Sequence, residues 1–326
     1  MNKLHKKNIV VIGGGTGTST LLEGLKRYSA NLSVIVSTAD DGGSSGVLRK
    51  KFGVVPPGDI RQCLGALAED PVLGKFFSYR FDHGELTGHT IGNLILAGLE
   101  KRTKNIQRAI ALCAELLDAR GQVIPVTLKS TSLIAILENG KKIVGEHAIE
   151  ERRENKEYRI KNVVLKPGAK ANPQALQAIK KADCIVFGPG DVYTSIMPNL
   201  IVPRVAAAVK KSSAKKIYIT NIMTRHGQTD GFTAADFIRE FSRYVEVDVA
   251  LVNNCKPNSF WLRRYKKEHA GYVSPETRAI EDRGVKVIAA DLLSEIIYPP
   301  TPGDRLTRSL LRHNSGKLAS LIWKLI

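Results

Sequence analysis

Six short β-branched runs, at 8–12, 33–38, 184–187, 216–220, 247–252 and 285–289, alternate with stretches of helical period at 19–28, 60–69, 91–100, 105–118, 173–181, 203–211 and 234–243. Elements in this order bury their apolar faces when parallel strands form one sheet and helices cover both sides of it. The expected fold class is α/β: a Rossmann-like, doubly wound, mostly parallel sheet in a single domain over 1–326. Residues 122–166 break the rhythm. An Asn139-Gly140 turn separates two apolar runs, which reads as strands or a hairpin, and a charged stretch at 150–162 is expected to be exposed. This predicts a small β-containing lobe inserted into the core. A helix at about 304–325 is expected to close the chain.

The strands end in glycine. After the first comes "GGGTGTS", with Gly13, Gly14, Gly15, Thr16, Gly17, Thr18 and Ser19. It lacks the lysine of a P-loop, and Thr18 stands where the third glycine of a dinucleotide fingerprint belongs. The physical reading survives: side-chain-free backbone approaches a ligand closely, and the N–H groups opening helix 19–28 favour an anion. A tight strand-to-helix turn with a hydroxyl cap is the plainer alternative.

The second strand leads into "ADDGGSSG". Asp40 and Asp41 lie about twenty residues beyond the first loop, where such folds place a ribose-gripping acid; paired carboxylates also suit Mg²⁺. Gly42 to Gly46 match G-x-S-x-G, which would make Ser44 a nucleophile. Two preceding aspartates and a poor following helix argue against it. Asp59 reads as the N-cap of helix 60–69 or as a ligand for metal or substrate. His89 and Asn93 sit at another helix start. A third loop, "GPGDVYTSIMPN", offers Gly188, Gly190, Asp191, Tyr193, Thr194, Ser195 and Asn199, and a fourth, "TNIMTRHGQTDGF", offers Asn221. Loops after parallel strands share one edge of the sheet, so these four predict one composite polar pocket.

The net charge of +18 fits a lysine-rich surface as well as a polyanion partner. No helix-turn-helix or aromatic RNA-binding motif accompanies it, so nucleic acid is not the expected partner. Lys180-Lys181 and Lys210-Lys211 stand where helices should end, complementing the helix dipole. Cys63, Cys113, Cys184 and Cys255 form no C-x-x-C pair and read as free thiols of a reducing compartment. No run reaches the ~18 apolar residues of a membrane span, and the basic, briefly apolar N-terminus reads as a first strand, so a cytoplasmic location is expected.

The motifs "GGGTG", "DDGGSSG-x-LR", "PPGDIRQCL-x-AL", "H-x-IGNL", "GPG-x-x-YTS-x-x-PNL" and "TN-x-M" resemble, in order, the gluconeogenesis factor family (the YvcK group), which is related to the 2-phospho-L-lactate transferases. The resemblance spans nearly the whole chain. It implies a Rossmann-like core and, in the regulator branch, binding of UDP-sugars such as UDP-N-acetylglucosamine, with a role linking gluconeogenic carbon to cell wall metabolism and cell shape. No required cofactor comes with that branch. The transferase branch implies Mg²⁺ and a guanine-nucleotide leaving group. Carried over, Gly13 to Gly15, Thr16 and Gly17 would cradle the nucleotide. Asp40, Asp41 and Asp59 match acidic positions that hold metal in the transferases. Ser44, Ser45, Asn93, Tyr193, Thr194, Ser195 and Asn199 would line the pocket. Tyr265 and Arg312 look like the pair that grips the UDP-sugar. The sequence departs from the family at Asp191, in "TRHGQTDGF" and at Phe237. A nicotinamide dehydrogenase is disfavoured by the missing third glycine. Protein partners in wall regulation and self-association are compatible with the regulator reading.

Overall fold

The computed structural model describes residues 6–152, 157–296, 302–304 and 310–326. Seven parallel strands form one sheet. They are β1 (Lys7–Ile12), β2 (Ala30–Val36), β3 (Gln122–Pro125), β7 (Cys184–Phe187), β8 (Lys215–Ile219), β9 (Val249–Asn253) and β10 (Lys286–Ala290), in the spatial order β10-β9-β8-β7-β1-β2-β3. β4 (Ser132–Leu137), β5 (Lys142–Val144) and β6 (Ile160–Lys166) form a separate antiparallel sheet in the order β5-β4-β6. Gly140, at φ +80°, makes the turn between β4 and β5. β3 belongs to the large sheet, so the chain from 122 onward serves both sheets.

Strand period explains the two-sided core. In β1, Val10 and Ile12 face one side while Ile9 and Val11 face the other. On the side of Ile9 pack α1 (Gly15–Leu25), α3 (Gly58–Leu67), α4 (Pro71–Ser78), α5 (Ile91–Thr103), α6 (Ile106–Leu116) and α14 (Ser315–Lys324). α2 (Gly43–Phe52) rests on α5 near the edge of that layer. On the other side lie the small sheet, α7 (Glu146–Glu150), α8 (Pro173–Lys181), a π-helical turn (Val192–Ile196), α9 (Met197–Leu200), α10 (Val205–Lys211), α11 (Ala234–Ser242) and α13 (Thr277–Glu281). α12 (Ser259–Lys267) sits in a smaller cluster with Ile222 and Met223. Leu21, Leu22 and Leu25 of α1 are fully buried, each contributing roughly 1.5–3 kcal/mol. The two lysine pairs occupy the last turns of α8 and α10.

Two expectations need correction. The C-terminal helix begins at Ser315, where the Asn314 side chain accepts the Lys317 N–H at 2.9 Å and caps it; residues 305–309 of the predicted span lie outside the described residues. The stretch 150–162 is not uniformly exposed: Arg152 is buried with its guanidinium on the Gly227 carbonyl, and Ile160 is a core residue of β6. Ser44, disfavoured as a nucleophile from the sequence, lies in the first turn of α2, and residues 37–42 separate that helix from β2. No single helix among the described residues is long and apolar enough to cross a membrane, and the four cysteines are free.

Candidate functional site

From β1 the chain winds outward to β2 and β3, then returns to lay β7 against β1 and winds the other way. The β1–β7 boundary is therefore a switch point, and the loops leaving the two strands diverge to open a crevice there. A cavity of about 610 Å³ occupies it, of the size that holds a nucleotide-like molecule. The two loops that floor it touch: a Cβ on Gly17 would collide with the Pro189 carbonyl oxygen. Glycine is required there because two backbones approach, not because a ligand does.

Of the residues singled out in the sequence, Gly14, Gly15, Thr16, Gly17, Asp40, Ser44, Ser45, Asp59, Asn93, Gly190, Asp191, Ser195, Asn221, Tyr265 and Arg312 line this one cavity. Gly13, Thr18, Asp41, Gly188, Tyr193, Thr194 and Asn199 do not. The Gly13 and Gly188 N–H groups extend the sheet, donating to Ile35 and Ile12 carbonyls at 3.1 Å. Thr18 is fully buried beneath the loop. Tyr193 points away into the core, where burial raises its hydroxyl pKa beside Glu240. Asn199 donates Nδ2–H to the Ser195 carbonyl at 2.9 Å. Thr194 supports the wall from behind, donating Oγ1–H to Glu150 Oε1 at 3.1 Å.

Two of the aspartates, Asp59 and Asp41, cap elements other than their own. Asp59 is in the first turn of α3, whose N-cap is Pro57. Its Oδ1 accepts the Gly15 N–H at 2.9 Å, satisfying an orphan donor at the start of α1. Asp41 Oδ1 accepts the His147 N–H at 2.9 Å and so caps α7. Asp40 Oδ1 accepts the Gly42 N–H at 2.9 Å. Ser44 Oγ lies 2.8 Å from His89 Nδ1.

Arg312 reaches the cavity because its segment is fixed at three points. The Tyr265 hydroxyl oxygen accepts the Leu310 and Leu311 N–H groups, both at 3.1 Å. Ser294 N–H donates to the Arg312 carbonyl at 2.9 Å. His313 Nε2 donates to the Thr220 carbonyl at 3.1 Å, and burial drives this imidazole down to about 4, so it is neutral near pH 7.

Sequence reasoning missed α7 altogether. It carries Glu146 and Glu150 into the cavity, one helical turn apart. Burial, then Asp40 and Glu150, pushes the Glu146 carboxyl well up. Burial also raises Glu150, against the Arg225 guanidinium 3.9 Å away. Among the described residues seven carboxyl side chains line the cavity (Asp40, Asp59, Glu146, Glu150, Glu151, Asp191, Glu268) against five arginines (Arg61, Arg80, Arg152, Arg225, Arg312). An acidic wall is thus built into a strongly basic chain. The only sequence signal for it was "GEHAIEE", a glycine and a short acidic helix after a strand.

Residues 9–293 match the family described as 2-phospho-L-lactate transferase CofD. The chain belongs to this family. Its relatives include the gluconeogenesis factor of Bacillus subtilis, 38% identical with 99% of each chain covered. That of Halalkalibacterium halodurans is 39% identical, covering 98% of this chain and 96% of the relative. A crystal structure of a upf0052-family protein from Bacillus halodurans superposes with a TM-score of 0.89 at 39% identity, covering 98% of this chain and 99% of that one. A CofD-family transferase activity would call on Mg²⁺, and the donor set bears on it directly. No group of three or more His, Cys, Asp or Glu among the described residues is arranged to hold a metal ion. Asp40 and Asp59 each already take a backbone N–H. They suit Mg²⁺ only in its usual manner, one or two carboxylates completed by phosphate oxygens and water, so the ion would enter with a phosphate-bearing ligand.

Proposed function

We propose that this chain is a cytoplasmic UDP-sugar-binding regulator, with UDP-N-acetylglucosamine as the first ligand to test, linking gluconeogenic carbon metabolism to cell wall synthesis and cell shape. The observation that carries the ligand class is that Tyr265 and Arg312 line the same cavity as the first glycine loop. A guanidinium pairs with a diphosphate through charge-assisted hydrogen bonds. The Thr16 and Gly17 amides, second and third in α1, add donors at a helix N-terminus. Because the Tyr265 hydroxyl is engaged with backbone, what the tyrosine offers a ligand is its ring. The gluconeogenesis factors among its relatives support the metabolic assignment.

The family match and the pairing of Asp40 with Asp59 in the cavity favour a second reading. In it the chain is a Mg²⁺-dependent transferase like the 2-phospho-L-lactate enzymes, with a guanine-nucleotide-activated donor. Thermal unfolding with UDP-N-acetylglucosamine, UDP-glucose, or GDP plus Mg²⁺ separates the two. A ligand at 100 times its Kd adds ~2.7 kcal/mol. Stabilisation by UDP-sugars that Arg312→Ala abolishes is the expected result. Stabilisation by GDP with Mg²⁺ alone would favour the transferase instead.

A further inference from the structure

Three side chains that line the cavity each bury a hydrogen-bond acceptor that has no donor among the described residues: Glu146 Oε2 on α7, Asn93 Oδ1 on α5 and Asn221 Oδ1 after β8. Asn93 is 2% exposed, so its amide is held in place rather than solvated. Buried acceptors without partners are costly and point to a missing donor. A diphosphate has only acceptors at neutral pH and is served by arginine and helix amides. A diphosphate beside Glu146 and Glu150 would add negative charge where burial and neighbouring carboxylates already disfavour it. The part of a nucleotide sugar that carries donors is the sugar, through its hydroxyls.

We propose that α7 of the small lobe is the sugar-recognising wall, with Glu146 accepting hydrogen bonds from ligand hydroxyls and thereby distinguishing a nucleoside diphosphate sugar from the bare nucleoside diphosphate. The inference rests on the UDP-sugar reading above. Glu146 reaches the ligand by turning its last torsion, which for a carboxyl is soft and roughly two-fold. Glu150 is the positioning residue: Thr194 and Arg225 anchor it and so fix the face of α7 that meets the cavity. Asp41, on the His147 N–H, fixes the other end. The three-stranded sheet of the lobe serves to deliver one short helix to the edge of the nucleotide crevice.

The test is calorimetric titration of UDP, UDP-glucose and UDP-N-acetylglucosamine, with and without Mg²⁺, into the wild-type chain and into Glu146→Ala and Glu146→Gln. Losing this acceptor in Glu146→Ala should weaken both UDP-sugars about tenfold, and Glu146→Gln, which keeps an acceptor oxygen, should weaken them less. UDP itself should bind with little change. Both variants take a buried carboxyl out of a cluster with Asp40, Asp59 and Glu150, and Gln keeps the shape, so thermal midpoints should stay close to wild type. Equal losses for UDP and UDP-sugars, or losses seen only with Mg²⁺, would mean the carboxyl serves a cation and would overturn the proposal. So would unchanged UDP-sugar affinity in Glu146→Ala. A wild-type chain that binds neither UDP nor UDP-sugar defeats the functional reading itself, and the wild-type titration shows that before any variant is compared.

Discussion

Asp59 has a position that sequence spacing explains in the wrong way. It stands where a helix N-cap belongs, yet it caps the helix of the first glycine loop, 44 residues earlier. A Cβ on Gly14 would collide with Asp59 Oδ2, so the glycine is needed to admit the carboxylate. The loop that looks built for phosphate is first of all built around its own aspartate. Asp59→Ala should therefore destabilise the chain by about 1 kcal/mol, the size of a lost N-cap, in the absence of any ligand or metal. Asp59→Asn, which keeps an acceptor, should recover most of it. Urea unfolding of the two variants decides between a cap and a residue that matters only for metal.

At the scale of elements, the segment 310–314 is not part of a long helix. It is a strap across the carboxyl end of the sheet, and the hydroxyl of Tyr265 on α12 takes two of its N–H groups. Tyr265→Phe preserves the ring and removes the acceptor, leaving both amides without it. We expect this variant to lose UDP-sugar affinity nearly as far as Arg312→Ala does, because the arginine is no longer held over the crevice. Calorimetry that finds Tyr265→Phe binding like wild type would mean the ring alone matters and the strap positions nothing. Thr194 and Tyr193 show a similar division of labour within one turn. Adjacent in sequence, they leave the π-helical turn in different directions, one to Glu150 and one into the core. A motif gives spacing along the chain but not the direction in which each side chain leaves it.

For the whole molecule, the buried His313 ties the strap to the end of β8, and its protonation is a global stability term. Its folded pKa of about 4 lies below the ordinary 6.5, so between those values the unfolded chain binds the extra proton. The contribution is complete above pH 6.5 and is lost as pH falls through 4, amounting at most to roughly 3 kcal/mol. Chemical denaturation at pH 7 and pH 5 should show wild type losing stability on acidification, with His313→Gln losing less. A flat wild-type profile would mean the imidazole is not sealed against water in solution.

The α/β class, every strand of the large sheet except β3, which the sequence assigned to the lobe, and most of its helices were legible because hydrophobic period is a local property: Ile9 to Ile12 alternate between two faces wherever the strand is placed. The glycine loops were legible for the same reason, as interruptions of that period. The order β7-β1-β2 was decided only in the tertiary structure, and with it the switch point that gathers Gly17, Asp40, Tyr265 and Arg312 around one cavity. So was the acidic wall. Glu146 and Glu150 look like surface charges on a short polar helix, and nothing local distinguishes them from the glutamates beside them. The raised proton affinity of Glu146 comes from its burial and from Asp40, Asp41 and Asp59, which approach from other parts of the chain. Desolvation and Coulomb interaction act through space, and only the folded chain fixes those distances.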